Sequence, residues 1–324
     1  MEEIMIQFKH GNIDLKLEKP AFLVGNGINY ADGCTMSWEE LLMDISGKQT
    51  GFKKLPASLS YPEIAELALL RKSPEEFDKE SKKEFLSMVT EKIKTDIEKA
   101  SRFNDNHEKM AVFAQEHKIP ILTTNFDRNF LRTSCFAGQD LDKIDLNWIK
   151  LNTTIEDNDY QILRNACFRP KPFNKNPNIH SEFAIWHIHG VIGKPSYKIC
   201  FTNWDYFNYC AKIKEISKNH APKDQSKDST WIDIFLDNDL IIMGLGLDSF
   251  ETDLRALLSE RNIKHKLTKK QDSEWQKPAT IYIYRKEAAE TDMPADKKAL
   301  FEALGIRCVP MPQDEIYVIE KYLK

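Results

Sequence analysis

The sequence predicts an α/β fold, with a Rossmann-like, mostly parallel sheet flanked by helices and an inserted helical subdomain. Four apolar runs that stop in small or polar residues are typical of strands whose carboxyl ends form a ligand-binding edge. Helical periodicity between these runs favours strand–helix–strand crossovers. With 324 residues, 41% of them hydrophobic, the chain is long enough for one domain over residues 1–324.

The N-terminal third begins with strands and continues with helices. Residues 4–17 alternate in polarity around a His-Gly-Asn turn, which predicts a hairpin, and 21–24 predict a buried strand. Ser37 and Glu40 form a capping-box pattern that opens a helix. Residues 55–118 have helical periodicity, and we expect them to form a helical insertion between the first two strands of the sheet.

The remaining two thirds alternate between strand and helix patterns. Residues 138–182 have weak periodicity and three prolines, so we expect a loop-rich segment near the site. The basic stretch 264–270 is expected to be a solvated loop, and Gly305 stands at a helix C-cap position. Strands are predicted at 119–123, 184–188, 197–202, 240–243, 281–284 and 307–309. Helices are predicted to begin at 129–132 and to cover 203–216, 253–260 and 297–304.

Composition excludes several classes of function. A net charge of −4 gives no electrostatic reason to expect direct nucleic-acid binding. The six cysteines form no CxxC pair, which argues against a zinc ribbon and fits free thiols in a reducing cytoplasm. The longest apolar run, 240–247, is too short to span a bilayer, and the acidic N-terminus does not resemble a signal peptide. We therefore expect a cytoplasmic protein with no membrane partner.

Glycines follow two of the predicted strands. Gly25 and Gly27 flank Asn26 after the first strand, and Gly244 and Gly246 follow the most apolar one. Glycines at such positions let the backbone approach a phosphate or a ribose. Ordinary tight turns explain the same pattern, and the third glycine of the dinucleotide-binding fingerprint is missing.

A polar cluster, Thr124, Asn125 and Asp127, follows the strand at 119–123. Its side chains can hydrogen-bond a ribose or a carboxamide. The alternative is that Asn125 or Asp127 caps the next helix.

Two histidines end the strand at 184–188. His187 and His189 share one face of the strand, but no third ligand stands at a persuasive spacing, so we expect no metal site. His187 is expected to pack within the fold. His189 stands at the strand terminus, where Gly190 gives a ligand access, and an imidazole suits a general base at neutral pH. A purely structural His189 is the alternative.

Together and in this order, these segments resemble the sirtuin superfamily, and within it the bacterial sirtuin-like NAD hydrolases that lack the zinc module. GNGIN resembles the glycine-rich loop, TTNFD the TTN-[FY]-D motif, HIHG the catalytic His-Gly and GLGLD the late G-x-S-x-x-D segment. FTNWDY at 201–206 and LGIRCVP at 304–310 resemble two further motifs of that branch. Asn26, Asn29 and Gly246 depart from the alanine and serines that sirtuins favour.

The resemblance implies that NAD⁺ is the substrate, cleaved at the nicotinamide–ribose bond to nicotinamide and ADP-ribose without a metal. It implies that Asn125 positions the ribose and the attacking water. It implies that Asp127 orients the nicotinamide side or steadies the loop, and that His189 acts as the base towards a ribose hydroxyl or water. The residues that it implies for binding the nucleotide are Gly25, Asn26, Gly27, Asn29, Thr124, Gly190, Gly244, Gly246 and Asp248.

Two other functions fit the same resemblance. One is protein deacylation or ADP-ribosyl transfer, and the other is a catalytically silent subunit that binds NAD or ADP-ribose for assembly. Members of the resembling branch often serve in anti-phage defence by depleting NAD⁺, and such an enzyme has to be silent until it is triggered. Since the sirtuin-like fold accounts for nearly all 324 residues, we expect a homo-oligomer, a separate sensor or regulatory subunit, or a small-molecule signal as the switch.

Overall fold

The computed structural model describes most of the chain. The described residues are 5–34, 37–50, 53–56, 58–72, 79–98, 105–138, 166–168, 170, 182–192, 199–219, 230–248, 251–286 and 293–324. They form an N-terminal hairpin and a seven-stranded sheet flanked by helices. This confirms the predicted α/β, Rossmann-like fold class and the hairpin.

The sheet is parallel except at one edge. β1 (Ile6–His10) and β2 (Ile13–Leu17) form the hairpin. The sheet strands are β3 (Pro20–Val24), β4 (Ile121–Thr123), β5 (Ala166–Phe168), β6 (Ile185–His187), β7 (Asp239–Met243), β8 (Thr280–Arg285) and β9 (Arg307–Met311). Their order is β5-β6-β4-β3-β7-β8-β9, and β5 alone runs antiparallel to its neighbour. The chain adds strands on one side of β3 before β7 and on the other side afterwards, which makes β3 the switch point where such sheets bind ligands.

Helices cover the sheet and fill the segment between β3 and β4. The helices that the structure describes are α1 (Gly27–Ala31), α2 (Trp38–Thr50), α3 (Tyr61–Lys72), α4 (Lys79–Ile93), α5 (Asp105–Glu116), α6 (Asn203–Asn219), α7 (Trp231–Asp237), α8 (Thr252–Gln271) and α9 (Ala295–Ala303). Shorter helical turns lie at Lys94–Glu98, Asn129–Arg132, Ser134–Phe136 and Ile319–Lys321. None of these helices has the length and apolar content that crossing a bilayer requires.

Two hydrophobic layers cover the faces of the sheet, and a third cluster lies among the helices before β4. Phe22 on β3 packs into the layer that contains α5, and Leu23 packs into the layer that contains α7 and α8, because successive strand side chains alternate. The third cluster joins α2, α3 and α4 to Phe126 and Phe201. The helices α3, α4 and α5 lie within residues 55–118; that this segment is an inserted subdomain stays a prediction.

Two helix caps predicted from the sequence are present in the structure. The backbone N–H of Ser37 donates to Glu40 Oε2 at 2.7 Å, and the N–H of Glu40 donates to Ser37 Oγ at 3.0 Å, which confirms the capping box before α2. Gly305 follows α9 with a φ of +73°, the left-handed conformation of a C-cap glycine.

Two predictions of secondary structure are wrong. The strand predicted at 197–202 is not formed in the described residues 199–202, because Thr202 caps α6 instead. The basic stretch 264–270 continues α8 to Gln271, since that helix is anchored by the buried His265. Within 138–182, the strand β5 (Ala166–Phe168) was not predicted. Residues 139–165, 169 and 171–181 lie outside the described part of the chain, so the loop-rich character of this segment stays a prediction.

A buried arginine on α8 stabilises the amino edge of the sheet, which lies opposite the carboxyl edge of the strands. Arg261 is 2% exposed, and burial lowers the pKa of its guanidinium to about 9. It donates hydrogen bonds to groups at the end of α7 and at the starts of β7 and β8. Its acceptors are the carbonyls of Phe235 at 2.7 Å, Leu236 at 2.6 Å, Asn238 at 2.6 Å and Ala279 at 3.0 Å, and the hydroxyl of Thr280 at 3.0 Å.

Replacing this arginine should destabilise the fold. Arg261→Met leaves several buried carbonyls without a donor, so we expect the free energy of unfolding to fall by about 3 kcal/mol or more. Urea denaturation followed by circular dichroism measures it. Lys266→Met, on the exposed side of the same helix, serves as the control and should change stability by less than about 0.5 kcal/mol. Equal midpoints for the two variants would contradict the role of Arg261.

Candidate functional site

The four motif segments meet at one edge of the sheet. Val24 on β3 is the register partner of Thr123 on β4 and of Met243 on β7, and Thr123 is the partner of His187 on β6. The strands are parallel, so the residues that follow these positions all leave the sheet at its carboxyl edge. Residues far apart along the chain are thereby brought to one site.

A cleft of about 200 Å³, which we name the His189 cleft, lies at this edge. The sequence-predicted residues that line it are Asn26, Thr124, His189, Gly244, Gly246 and Asp248. Aromatic residues form much of its remaining wall, namely Trp38, Tyr61, Phe126, Phe201 and Tyr206. Glu251 lines it as well, and none of the lining residues that the structure describes is lysine or arginine. The cleft is therefore aromatic and acidic.

His189 forms a dyad with Asp253, which stands in the first turn of α8. His189 Nε2 lies 2.7 Å from Asp253 Oδ2, and both side chains are almost fully buried. The hydroxyl of Tyr206 lies 3.4 Å from His189 Nδ1. Burial raises the pKa of Tyr206 well above its ordinary value, so this hydroxyl is neutral and can donate. We therefore assign the imidazole proton to Nε2, which leaves Nδ1 as the acceptor.

The segment 201–206 positions that tyrosine. The N–H of Thr202 donates to Asp205 Oδ2 at 3.0 Å, and the N–H of Asp205 donates to Thr202 Oγ1 at 3.3 Å. This reciprocal cap starts α6 and directs Tyr206 against His189, with 5.3 Å between ring centroids. Lys82 on α4 donates to Asp205 Oδ1 at 2.6 Å, which links α4 to the cap. The spacing of Thr202, Asp205 and Tyr206 thus has a structural reason.

Asn125 is buried behind the cleft rather than among its lining residues. The Asn125 side-chain Nδ2 donates to the backbone carbonyl of Gly25 at 3.2 Å, and the backbone carbonyl of Asn125 accepts from His187 Nδ1 at 2.9 Å. His187 also packs edge-on against Phe168, at 5.5 Å between ring centroids, as expected for a residue that packs within the fold. In this geometry Asn125 holds the first glycine loop against the end of β4. Its contact with a ribose stays a prediction.

Asn29 and Asp127 also face the interior. Asn29 Nδ2 donates to Asp127 Oδ2 and to Asn26 Oδ1, each at 2.8 Å. The other oxygen of Asp127 accepts the backbone N–H of Asn129 at 3.0 Å. This network joins the two loops and supports a positioning role for Asn29 and Asp127. It also matches the alternative that Asp127 stabilises the start of the following helical turn. Gly25 and Gly190 likewise do not line the His189 cleft.

The glycines of the two loops pack against each other. A Cβ at Gly25 would lie 2.5 Å from the carbonyl oxygen of Gly244, and one at Gly27 would lie 2.6 Å from the Gly244 Cα. Gly244 itself has a φ of +66°, and the N–H of Gly27 donates to its carbonyl at 2.9 Å. Glycine is required here by contact between the loops. The Gly27 N–H is already used in this contact, since it donates to the carbonyl of Gly244.

A larger cavity of about 480 Å³ lies on the other side of the second glycine loop, and we name it the Lys297 cavity. Gly244 and Leu245 line both cavities, so this loop forms their shared wall. Other residues that line the Lys297 cavity include Gly27, Tyr30, Tyr282, Tyr284, Arg285, Lys297 and Tyr317. The carboxyl edge therefore offers two adjoining compartments.

Sequence reasoning missed two carboxylates of the site, Asp253 and Glu251. Burial raises the pKa of Glu251 to about 7, the negative charges of Asp253 and Asp248 add to the rise, and the hydrogen bond from the Asp248 N–H at 3.0 Å opposes it. Their position in the sequence was the one feature that could have indicated them, because both residues follow GLGLD, where a crossover helix begins. Acidic residues are common in first turns for reasons of helix stability, so that signal was not specific.

No group of three His, Cys, Asp or Glu side chains in the described part of the chain is arranged to hold a metal ion.

Comparison with known proteins places the chain in no family. No family model matches it, and no curated protein matches it. The resemblance to sirtuin-like NAD hydrolases stays a prediction.

Changing Asp253 should reverse the tautomer of His189. In Asp253→Asn the new amide can donate to Nε2, which places the imidazole proton on Nδ1. The nitrogen chemical shifts of His189 in a long-range proton–nitrogen NMR spectrum should show this exchange. Asp248→Asn, a half-exposed carboxylate of the same loop region, serves as the control and should leave those shifts in place. A wild-type spectrum in which Nδ1 rather than Nε2 carries the proton would refute the assigned tautomer.

Proposed function

We propose that this chain hydrolyses NAD⁺ at the nicotinamide–ribose bond, releasing nicotinamide and ADP-ribose. The observation that carries the proposal is the His189 cleft, where a histidine–aspartate dyad meets a wall of aromatic and acidic side chains. The resemblance of the four motif segments to sirtuin-like NAD hydrolases supports the same reaction.

The lining of the cleft suits a flat cation. The nicotinamide ring of NAD⁺ is a positively charged pyridinium, and aromatic faces attract cations within about 6 Å of their centroids. Trp38 and Phe126 meet edge to face at 5.4 Å, and Phe126 and Phe201 lie 5.9 Å apart, so the aromatic wall is continuous. Asp248 and Glu251 add negative charge. This combination favours the oxidised nicotinamide ring over a neutral one.

The same charges favour the transition state. As the glycosidic bond breaks, positive charge leaves the pyridinium and develops on the ribose as an oxocarbenium ion. Carboxylates fixed in a site that excludes water stabilise such charge without reorganising. Glu251, which lines the cleft near His189, is placed to do this.

His189 is the proposed base. The electron pair of the broken bond stays on the nicotinamide nitrogen, and a water oxygen forms the new bond to C1′ of the ribose. The proton of that water passes to His189 Nδ1 and then to solvent, while Asp253 stabilises the imidazolium through Nε2. Asp253 is a positioning residue in this scheme, since it acts through the imidazole.

Each of the two cavities holds one half of the proposed substrate. With the nicotinamide ribose in the His189 cleft, the adenosine end occupies the Lys297 cavity, and the pyrophosphate between them crosses the shared wall at Gly244 and Leu245, beside Gly246. Asn26 and Thr124 face the nicotinamide half. Asn125, Asn29 and Asp127 act from behind by holding the loops.

Substitutions in the site should abolish cleavage in a folded protein. His189→Ala removes the base, and Asn125→Ala removes the hydrogen bond that holds the first glycine loop, so we expect each to slow nicotinamide release by ~10²–10⁴-fold. The assay incubates the purified chain with NAD⁺ and follows nicotinamide by chromatography. His10→Ala, at the end of β1, is the matched control and should retain full activity. Full activity in His189→Ala would overturn the proposal.

The other outcomes of this assay separate the alternatives. Transfer of acetyl from an acylated peptide to ADP-ribose would identify a deacylase, and ADP-ribose attached to protein would identify a transferase. Binding of ADP-ribose with no turnover would identify a silent assembly subunit. We also propose that the reaction serves anti-phage defence, in which case the isolated chain is slow until a partner, self-assembly or a small molecule activates it.

The acidic cleft predicts a pH dependence. Glu251 has a pKa of about 7, so its carboxyl is neutral below that pH and charged above it, and the stabilising charge is gained as pH rises. In Glu251→Gln, kcat/KM for nicotinamide release should fall by about tenfold at pH 8. The slope of log kcat/KM against pH on the acid side should fall by about one, because one ionisation is removed. Glu260→Gln, on the outer part of α8, is the control; a Glu251→Gln profile that matches it would contradict the role of Glu251.

A further inference from the structure

Lys297 is a cation held at the boundary between the two cavities. It stands in the first turn of α9, and its Nζ donates to Asp248 Oδ1 at 2.8 Å and to the carbonyl of Gly246. The ammonium also lies 5.8 Å from the centroid of the Phe301 ring. Lys297 lines the Lys297 cavity, while Gly246 and Asp248 line the His189 cleft. Its charge therefore lies beside the wall that any ligand spanning both cavities has to cross.

The proposed substrate needs a cation at this place. A dinucleotide carries a pyrophosphate between its two nucleosides, and the N–H of Gly27, which could have bound it, donates to Gly244 instead. Among the described lining residues of both cavities, the lysines and arginines are Lys297 and Arg285, and both face the Lys297 cavity. Lys297 contacts Gly246 and Asp248 in the segment that follows the shared wall.

We propose that Lys297 binds the pyrophosphate of the substrate by exchanging its contact with Asp248 for one with a phosphate oxygen. This inference rests on the proposed function. Losing the contact with Asp248 costs little, because the Asp248 side chain is 51% exposed and ion pairs to exposed carboxylates contribute little. A pyrophosphate offers two negative charges and several acceptor oxygens, and lysine is a common phosphate ligand. Asp248 is then a competitor for Lys297 rather than its necessary partner.

The test is the affinity for ADP-ribose, measured by titration calorimetry on the full chain. Lys297→Met removes the charge but keeps the aliphatic stem, and we expect the Kd to rise by about 10- to 100-fold, as for the loss of a charge-assisted hydrogen bond. Lys297→Arg keeps the charge and should recover most of the affinity. Lys298→Met, the exposed neighbour on the same helix, should bind as the wild type does. Thermal melts of each variant show that it is folded.

Asp248→Asn separates the proposal from a structural role of the ion pair. If Lys297 holds the pyrophosphate, Lys297→Met raises the Kd for ADP-ribose by a similar factor in an Asp248→Asn background and in the wild type. If the ion pair only fixes the loop, Lys297→Met has no further effect once Asp248→Asn has removed the pair, and the proposal is overturned. It is also overturned if Lys297→Met binds as tightly as the wild type. A wild-type chain that neither binds ADP-ribose nor cleaves NAD⁺ refutes the proposed function itself, which distinguishes the two failures.

Discussion

The close contact between two glycine loops sets the geometry of the whole carboxyl edge. β3 and β7 are neighbours in the sheet, and the loops that follow them touch backbone to backbone, with no room for a Cβ at Gly25 or Gly27. Because the loops meet this closely, the turn at Gly244 becomes a thin wall with a cavity on each side. A side chain at any of these glycines would push the loops apart and merge or close the compartments. The glycines therefore shape the site through packing, whether or not the backbone also touches a ligand.

Buried polar side chains keep these loops in place. Thr123 Oγ1 donates to the carbonyl of Val24 at 3.0 Å, Asn125 donates to the carbonyl of Gly25, and Asn29 joins the first loop to Asp127. Buried amides and carboxylates are tolerated only when they are hydrogen-bonded, and here each bond crosses between strands that are about a hundred residues apart in the chain. The network makes the strand ends rigid, which a site that works by positioning and fixed charge requires. It also explains why polar residues follow apolar strands without facing solvent.

The sequence predicted what local pattern determines. Apolar runs ending in glycine or asparagine identified β3, β4, β6 and β7, and parallel pairing then brought their ends together. The dyad could not be predicted, since Asp253 lies 64 residues from His189 and an aspartate in a first helical turn is commonplace. The continuation of α8 through 264–270 depends on tertiary anchors such as Arg261, which no local pattern reveals. Asp127 lies in a segment that resembles a family motif and Asn29 departs from one, yet the burial of both follows from packing between loops that only the three-dimensional structure contains.

The charge distribution of the two cavities favours one orientation of the proposed substrate. The acidic side chains Asp248 and Glu251 line the His189 cleft, and Lys297 and Arg285 line the cavity beyond the shared wall. A dinucleotide with a cationic ring at one end and an anionic linkage in its middle fits this arrangement in one orientation only. Reversal would place the neutral adenine among the carboxylates and remove the pyridinium from the aromatic wall. Since charges at close range in a partly dehydrated site interact strongly, we propose that this asymmetry also brings the scissile bond of the proposed substrate to His189.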